Sequence, residues 1–270
     1  MLKSIKSLKN PLVKQILVLQ GKPRERKDSG LFVIEGVKEI TRAIEGGYTI
    51  EKLLYAEHLS TYFDAEKLVI WADRKPEIIE ISREVHLRLS VRENTEPFIA
   101  LAKTKTSDIK TFKLPERETV LILVAESPEK PGNIGALFRT ADGAGADAVF
   151  IANPRTDMYN PNVLRSSLGC VFTVPFYEGS TEEIIQVLRH SGVEIYCASL
   201  EGSVVYADIH YPGKTAIVVG TEDKGLSERW LTMSTSNIKI PMAGKADSLN
   251  VSVSTGIILY EVARQRGFKI

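Results

Sequence analysis

The chain has 270 residues, of which 43% are hydrophobic and 26% charged, and its formal net charge is +1. This composition excludes collagen-like, rod-like and largely disordered chains, and the length favours two modest domains or one large one. No apolar run approaches the ~20 residues of a membrane helix, and the two cysteines, Cys170 and Cys197, fit neither a disulfide framework nor a metal-ligand spacing. We therefore expect a cytoplasmic protein without a membrane segment or a bound metal.

The first 27 residues are strongly basic. They carry eight Lys or Arg side chains against one acid, Glu25, which makes a local charge of +7. Composition alone favours two interpretations equally: a solvated arm, or a patch that contacts nucleic-acid phosphates. A mitochondrial presequence is a less favoured third interpretation, which rests on the scarcity of acids.

Helices and strands are predicted to alternate through the first hundred residues. A helix begins at Asn10-Pro11 and ends at Gly21. The elements that follow are a strand at 31–34, a helix that ends at 46–47, strands at 53–55 and 68–70, and a helix at 78–81. This alternation predicts an α/β domain over residues 28–103, and the polar stretch 104–118 is the predicted linker.

The remaining residues, 119–270, show a second alternation. The predicted elements are a strand at 120–124, a helix at 134–141, a strand at 147–152, a helix at 181–190, strands at 193–198, 215–220 and 237–241, and a long helix at 249–264. Strands that alternate with helices predict a mainly parallel sheet.

Several common active-site motifs are absent from the sequence. It contains no Gly-x-x-x-x-Gly-Lys-Ser/Thr loop, and no strand is followed by Gly-x-Gly-x-x-Gly, so a di- or triphosphate ligand is not indicated. The four histidines have no metal-ligand spacing, and there is no nucleophile elbow. Hydrolysis by zinc or by a catalytic triad is therefore not expected.

The stretch 131–142 combines glycine with polar side chains. Asn133 lies at the start of the predicted helix, and Arg139 lies opposite its apolar stripe. A purely structural explanation exists for both, because Asn133 can cap the helix and Arg139 can pair with Asp142 on the helix surface.

Two later stretches have the same character. In 217–226 a buried strand runs into a glycine loop that carries Glu222, and 238–254 contains Ser248 and Asn250. Taken singly, these residues also have a structural explanation as turn or helix-capping residues.

Together the three stretches resemble the motifs of the SpoU, or TrmH-like, branch of the SPOUT RNA methyltransferases. The matching motifs are Asn-x-Gly-Ala-x-x-Arg-Thr-Ala at 133–141, Gly-x-Glu-x-x-Gly-Leu at 220–226, and Ile-Pro-Met followed by Ser-Leu-Asn-Val-Ser-Val within 240–253. Their order, spacing and position after strands agree, and the resemblance covers about residues 118–266. Residues 30–100 resemble, more loosely, the family's N-terminal substrate-binding domain, a small α/β module akin to some RNA-binding ribosomal proteins.

The resemblance implies S-adenosylmethionine (AdoMet) as the methyl donor, a trefoil knot in the C-terminal SPOUT domain, and a homodimer in which each site is completed by the second copy. The implied cofactor-binding residues are Leu200, Gly220, Ile240 and Leu249. The implied catalytic residues are Asn133, Arg139, Glu222, Ser248 and Asn250.

Arg139 is the residue expected to act on the ribose 2′-hydroxyl, and two mechanisms are open. A guanidinium is normally always protonated. The site therefore either perturbs Arg139 until it accepts a proton, with help from an RNA phosphate, or uses its charge to stabilise the developing alkoxide, which we prefer on physical grounds.

The implied function is methyl transfer to a ribose 2′-hydroxyl of RNA, with ribosomal RNA as the expected substrate. In this interpretation residues 1–27 are a basic arm and first helix, 28–103 bind RNA, 104–118 are a linker and 119–270 are the methyltransferase domain. The alternatives are a tRNA 2′-O-methyltransferase of the same branch and a non-catalytic RNA-binding protein, such as a ribosome-assembly factor, with the same fold.

Overall fold

The computed structural model of the protein describes residues 3–91, 96–200, 204–211 and 213–268. The strands are β1 (Lys3–Ile5), β2 (Leu31–Glu35), β3 (Ile50–Ala56), β4 (Glu77–Ile81), β5 (Phe98–Lys103), β6 (Val120–Glu126), β7 (Ala148–Ala152), β8 (Phe176–Gly179), β9 (Glu194–Ala198), β10 (Val204–Val205), β11 (Lys214–Val219) and β12 (Ser236–Lys239). The helices are α1 (Pro11–Gly21), α2 (Pro23–Ser29), α3 (Val37–Glu45), α4 (Tyr62–Leu68), α5 (Arg83–Leu89), α6 (Pro131–Gly143), α7 (Pro161–Ser166), α8 (Cys170–Thr173), α9 (Thr181–His190), α10 (Glu228–Met233) and α11 (Val251–Gln265).

The chain folds into two compact units. The first unit comprises the residues up to Thr106 together with Asp157–Thr173, and the second comprises Ser107–Thr156 together with the residues from Val174 onward. Within the first unit, the buried guanidinium of Arg26 donates a hydrogen bond to Asp157 at 2.5 Å, and the rings of Phe32 and Tyr159 stack with centroids 4.4 Å apart. These contacts explain why the segment 157–173 belongs to the first unit.

The first unit contains a mixed sheet with the strand order β1-β4-β3-β5-β2. The strands β1, β3 and β4 are parallel to one another, whereas β5 is antiparallel to both β2 and β3. The helices α1 and α5 pack on this sheet, and their apolar side chains form one core with residues such as Leu54 and Ile79. Burial of these side chains stabilises the unit, at roughly 1.5–3 kcal/mol for each large residue.

Most of the basic N-terminal segment is folded. The helix α1 begins where the sequence predicts, with the side chain of Asn10 accepting a hydrogen bond from the amide of Leu12 at 2.9 Å. Its residues Val13, Ile16 and Leu19 are buried in the core of the first unit. The described part of residues 1–27 is therefore not a solvated arm, although all six of its lysines are exposed.

Two elements of this unit differ from the prediction. Residues 77–81 form the strand β4 and not a helix, because Glu-Ile-Ile-Glu-Ile is rich in β-branched residues that pack well in a sheet. Residues 68–70 are not a strand, because a capping box between Thr61 and Asp64 starts the helix α4, which continues to Leu68.

The second unit contains an all-parallel sheet with the strand order β10-β12-β9-β11-β6-β7-β8. Its strands are rich in β-branched residues, and its core includes Ile122, Val124, Phe150, Val218 and Trp230. The predicted fold class, two α/β domains of which the second has a mainly parallel sheet, is confirmed. The trefoil knot stays a prediction.

Within the described ranges, no helix is long and apolar enough to cross a bilayer. Over the same residues, no group of three or more His, Cys, Asp or Glu side chains is arranged to hold a metal ion. Both cysteines are buried, and neither forms a disulfide.

Candidate functional site

The parallel sheet of the second unit brings the three motif stretches to one edge. The strand β6 lies beside β11, which lies beside β9, with β12 next in order. In a parallel sheet all carboxyl ends point the same way, and ligands bind in the crevice outside those ends. The loops that follow these four strands carry the predicted site residues.

The loop after β11, residues 220–226, closes on itself. The amide of Thr221 donates to the carbonyl of Gly225 at 3.1 Å, and the amide of Gly225 donates to the carbonyl of Thr221 at 3.0 Å. Gly225 has a φ of +64°, and a Cβ on Gly220 would lie 2.2 Å from the Gly225 carbonyl. The two glycines of the motif therefore serve the left-handed turn and the close backbone approach that shape this loop.

A cleft of about 470 Å³ opens beside this loop, and we call it the cofactor cleft. The four residues predicted to bind the cofactor all line it: Leu200, Gly220, Ile240 and Leu249. Ser248, predicted as catalytic, also lines this cleft. The volume lies within the range of 300–1,000 Å³ that is usual for small-molecule sites.

A polar cluster lies beside the cofactor cleft. The carboxylate of Glu222 accepts a hydrogen bond from the side-chain amide of Asn133 at 2.8 Å and from that of Asn250 at 2.6 Å, both at Oε1. Its other oxygen, Oε2, pairs with the ammonium of Lys130. Asn133 and Asn250, which are 117 positions apart in the chain, thus meet at one carboxylate.

The charges of this cluster stabilise each other. Hydrogen bonding to Lys130 lowers the pKa of the Glu222 carboxyl below its usual 4.5, and the amide of Asn133 lowers it further. The same contact raises the pKa of Lys130 above its usual 10.5. Both groups are therefore ionised at neutral pH, and Glu222 acts here as an acceptor that orders its neighbours.

Asn250 is oriented by the helix that it begins. It is the N-cap of α11, and its Oδ1 accepts hydrogen bonds from the amide and the hydroxyl of Ser252, at 3.0 and 2.6 Å. Its amide nitrogen is thereby left to donate to Glu222. Capping and site organisation are thus functions of one side chain.

A second, smaller cleft of about 80 Å³ lies next to the first. Its walls include Lys130, Asn133 and Arg155, and it shares the residues from Val219 to Lys224 with the cofactor cleft. Two clefts with a common wall can bring a donor molecule and an acceptor group together at that wall.

Arg139 is not brought to these clefts within its own chain. It is exposed on α6, it lines neither cleft, and its guanidinium makes no hydrogen bond or ion pair with the described residues. Since Arg139 comes six positions after Asn133, it lies about 9 Å further along the helix and about 240° around it. Sequence spacing within one helix therefore did not bring these two motif residues onto one face.

Sequence reasoning missed two residues of this region. Lys130, which pairs with Glu222, immediately precedes the proline that starts α6. Glu126 ends the otherwise apolar strand β6 and is buried. A charged residue at the end of an apolar strand is the signal that could have identified Glu126.

The fold and these clefts are those of an α/β protein with room for a small molecule at the strand ends of a parallel sheet. Residues 120–260 match the model of the SpoU rRNA Methylase family, and residues 10–100 match that of the MRM3-like substrate binding domain. The chain belongs to the SpoU rRNA methylase family.

Known proteins resemble the chain over nearly its whole length. The 23S rRNA (uridine(2479)-2′-O)-methyltransferase of Streptomyces viridochromogenes is 30% identical, over 96% of this chain and 91% of its own. A solved RNA 2′-O ribose methyltransferase is 35% identical with a TM-score of 0.82, covering 97% of this chain and 99% of its own. The AdoMet-bound rRNA methyltransferase from Sinorhizobium meliloti is 29% identical with a TM-score of 0.88, covering 97% of this chain and 98% of its own.

The predicted family, the RNA 2′-O-ribose methyltransferase activity and AdoMet as the methyl donor are confirmed by these relationships. The cofactor cleft fits such a donor in its chemistry. Its walls combine apolar side chains such as Ile240 and Met242 with the backbone of the glycine loop, which suits a nucleoside that carries no phosphates.

Proposed function

We propose that this enzyme methylates a ribose 2′-hydroxyl of large-subunit ribosomal RNA, and that the clefts described above are its active site. The observation that carries the proposal is the convergence of Asn133, Glu222 and Asn250 beside a cleft lined by all four predicted cofactor residues. The Streptomyces viridochromogenes relative, which is named for 23S rRNA, supports the substrate.

The residues of the two clefts have separate tasks in this proposal. AdoMet, when bound, supplies a methyl group on a sulfonium cation. Gly220, Ile240 and Leu249 hold the cofactor, and Leu200 closes the same cleft. The cluster around Glu222 fixes the amides of Asn133 and Asn250, which together with Ser248 hold the acceptor ribose. In-line displacement depends on alignment, so this ordering contributes much of the acceleration.

Arg139 supplies positive charge near the ribose hydroxyl and stabilises the alkoxide that develops there. Since Arg139 lines neither cleft of its own chain, we assign it to the site of a second copy in a homodimer. The exposed face of α11, which packs against α6 and presents Val253 and Tyr260, supplies apolar surface for such a contact.

RNA binding is assigned to residues 28–103 together with the basic segment before them, and methyl transfer to 119–270. The family matches at 10–100 and 120–260 support this division. The 2′-hydroxyl is the group that distinguishes RNA from DNA, so recognition of this group makes the enzyme specific for RNA. We place the reaction in the cytoplasm, because the relatives named above are bacterial rRNA methyltransferases.

The test of this function has a binding arm and a product arm. Purified protein should bind S-adenosylhomocysteine stoichiometrically without added metal. Ribosomal RNA from a strain that lacks the gene should accept one methyl group per molecule from the wild-type enzyme and none from Asn133→Ala. Methyl transfer to tRNA alone would show that the substrate is tRNA and not ribosomal RNA. No binding of S-adenosylhomocysteine at millimolar concentration would leave only the non-catalytic RNA-binding alternative.

A further inference from the structure

A buried carboxylate lies directly behind the active site. Glu126 is the last residue of β6 and is only 7% exposed. Its Oε1 accepts hydrogen bonds from the hydroxyls of Thr181, at 3.0 Å, and of Ser227, at 2.8 Å. Its Oε2 accepts a hydrogen bond from the backbone amide of Ser227 at 2.8 Å. Three donors thus offset the cost of burying this group.

Ser227, which donates two of these bonds, directly follows the loop that lines the cofactor cleft. Ser227 is the first residue after the loop 220–226, and its neighbour Leu226 lines the cofactor cleft. Glu126 therefore holds the carboxyl end of that loop through both the backbone and the side chain of one residue.

The other end of the loop is held by the same strand. Val219, which precedes Gly220, pairs with Ala125 in the parallel ladder between β11 and β6. The two ends of the loop 220–226 are thus held by adjacent residues of β6. Ala125 holds one end through the strand ladder, and Glu126 holds the other through its carboxylate. A loop tied at both ends loses less conformational entropy when a ligand orders it.

The end of β6 also leads into the other motif loop. Ser127, the next residue, has a φ of +47°, which turns the chain into the segment that carries Lys130 and Asn133. Backbone in this region is strained for a residue other than glycine, and such strain persists only where the surroundings hold it. The amide of Ser127 donates to the carbonyl of Ala152 at 2.7 Å, and this bond holds the turn.

We infer that Glu126 is a positioning residue that sets AdoMet affinity by holding the loop 220–226 in its binding conformation. The inference rests on the proposed function. Glu126 lines neither cleft, so it does not contact the cofactor and acts through Ser227.

The experiment compares Glu126→Ala, Glu126→Gln and Ser227→Ala with the wild-type enzyme. Calorimetry with S-adenosylhomocysteine gives the Kd, and steady-state kinetics give KM for AdoMet and for RNA separately. Glu178→Ala is the matched control, because Glu178 lies near the carboxyl end of the edge strand β8 and its carboxylate accepts from the hydroxyl of Ser107 at 2.6 Å.

Glu126→Ala should raise the Kd about tenfold or more, since it removes hydrogen bonds to a charged acceptor. The Kd of Glu126→Gln should stay within about threefold of the wild-type value. Its side-chain oxygen still accepts from the Ser227 backbone amide, and its side-chain NH2 can donate to the two hydroxyls. Ser227→Ala, which keeps only the backbone bond, should lie between them. In each case KM for RNA should not change.

The outcomes separate this inference from the proposed function. Failure of the wild-type protein to bind S-adenosylhomocysteine would remove the proposed function itself. If Ser227→Ala and a folded Glu126→Ala both bind S-adenosylhomocysteine with the Kd of the wild type, Glu126 is only a structural residue and the inference is wrong. Equal weakening by Glu178→Ala would lead to the same conclusion, since the effect would then be general destabilisation. If Glu126→Ala does not fold, the Kd of Ser227→Ala is compared with that of Glu126→Gln. A higher Kd for Ser227→Ala supports the inference, and equal values contradict it.

Discussion

Gly220→Ala is the substitution whose effect can be worked out most directly. The added Cβ would lie 2.2 Å from the carbonyl carbon and oxygen of Gly225 and 2.6 Å from the amide nitrogen of Leu226. Ordinary contact begins at 3.4 Å, so this backbone would have to move by more than an ångström. Unlike a flexible side chain, the backbone of a closed loop cannot move aside without breaking its own hydrogen bonds.

The cost arises in one of two ways. A loop that keeps its shape bears overpacking of about 1–3 kcal/mol, and a loop that opens loses the two hydrogen bonds between Thr221 and Gly225, at about 1 kcal/mol each. If the loop must adopt the native shape to bind AdoMet, about 2 kcal/mol is lost from binding. This loss corresponds to a rise in Kd of about 30-fold.

The assay is a calorimetric titration with S-adenosylhomocysteine, run beside thermal unfolding. Gly132→Ala is the control, because Gly132 lies in the first turn of α6 and its added Cβ would meet nothing within 4 Å. It should bind as the wild type does, with a stability equal to or up to about 1 kcal/mol above it. Binding of wild-type strength by Gly220→Ala would refute the assignment of this loop to the cofactor.

Three further predictions concern groups away from this loop. Arg139→Ala should change the free energy of unfolding by less than about 0.5 kcal/mol yet slow methyl transfer about 100-fold or more; near-normal turnover would make it a mere surface residue. Glu183, in the capping box of α9, has a pKa lowered to about 2 by the Ser180 amide and by Lys110, so its contribution to stability is present above its usual 4.5 and is lost as the pH falls toward 2. Urea unfolding of Glu183→Gln should therefore show a deficit at neutral pH that vanishes near pH 2, and a deficit independent of pH would contradict this. Replacing four exposed lysines by alanine should flatten the salt dependence of RNA binding by about 0.7–0.9 per lost phosphate contact without changing the cofactor Kd; an unaltered slope would remove them from the RNA interface. The four are Lys6, Lys9, Lys14 and Lys22.

The sequence alone determined the elements with a clear period and the identity of the motif residues. The strand 120–126, the helix 131–143 and the last helix are where their apolar spacing predicts them, because burial of one face is a local property of the pattern. The helix that starts after Asn10 was predictable for the same reason, since its cap and its proline are adjacent in the chain. Family membership followed from three short motifs.

Tertiary structure alone decided which of these residues meet. Asn133 lies in the first turn of α6, Glu222 in the loop after β11, and Asn250 at the start of α11. Only the order of β6, β11, β9 and β12 in the sheet brings them together at the Glu222 carboxylate. It also decided that residues 77–81 pair as a strand and that 157–173 pack with the first unit. Strand pairing and packing are contacts between distant parts of the chain, and a local pattern of residues carries no record of which partner each will find.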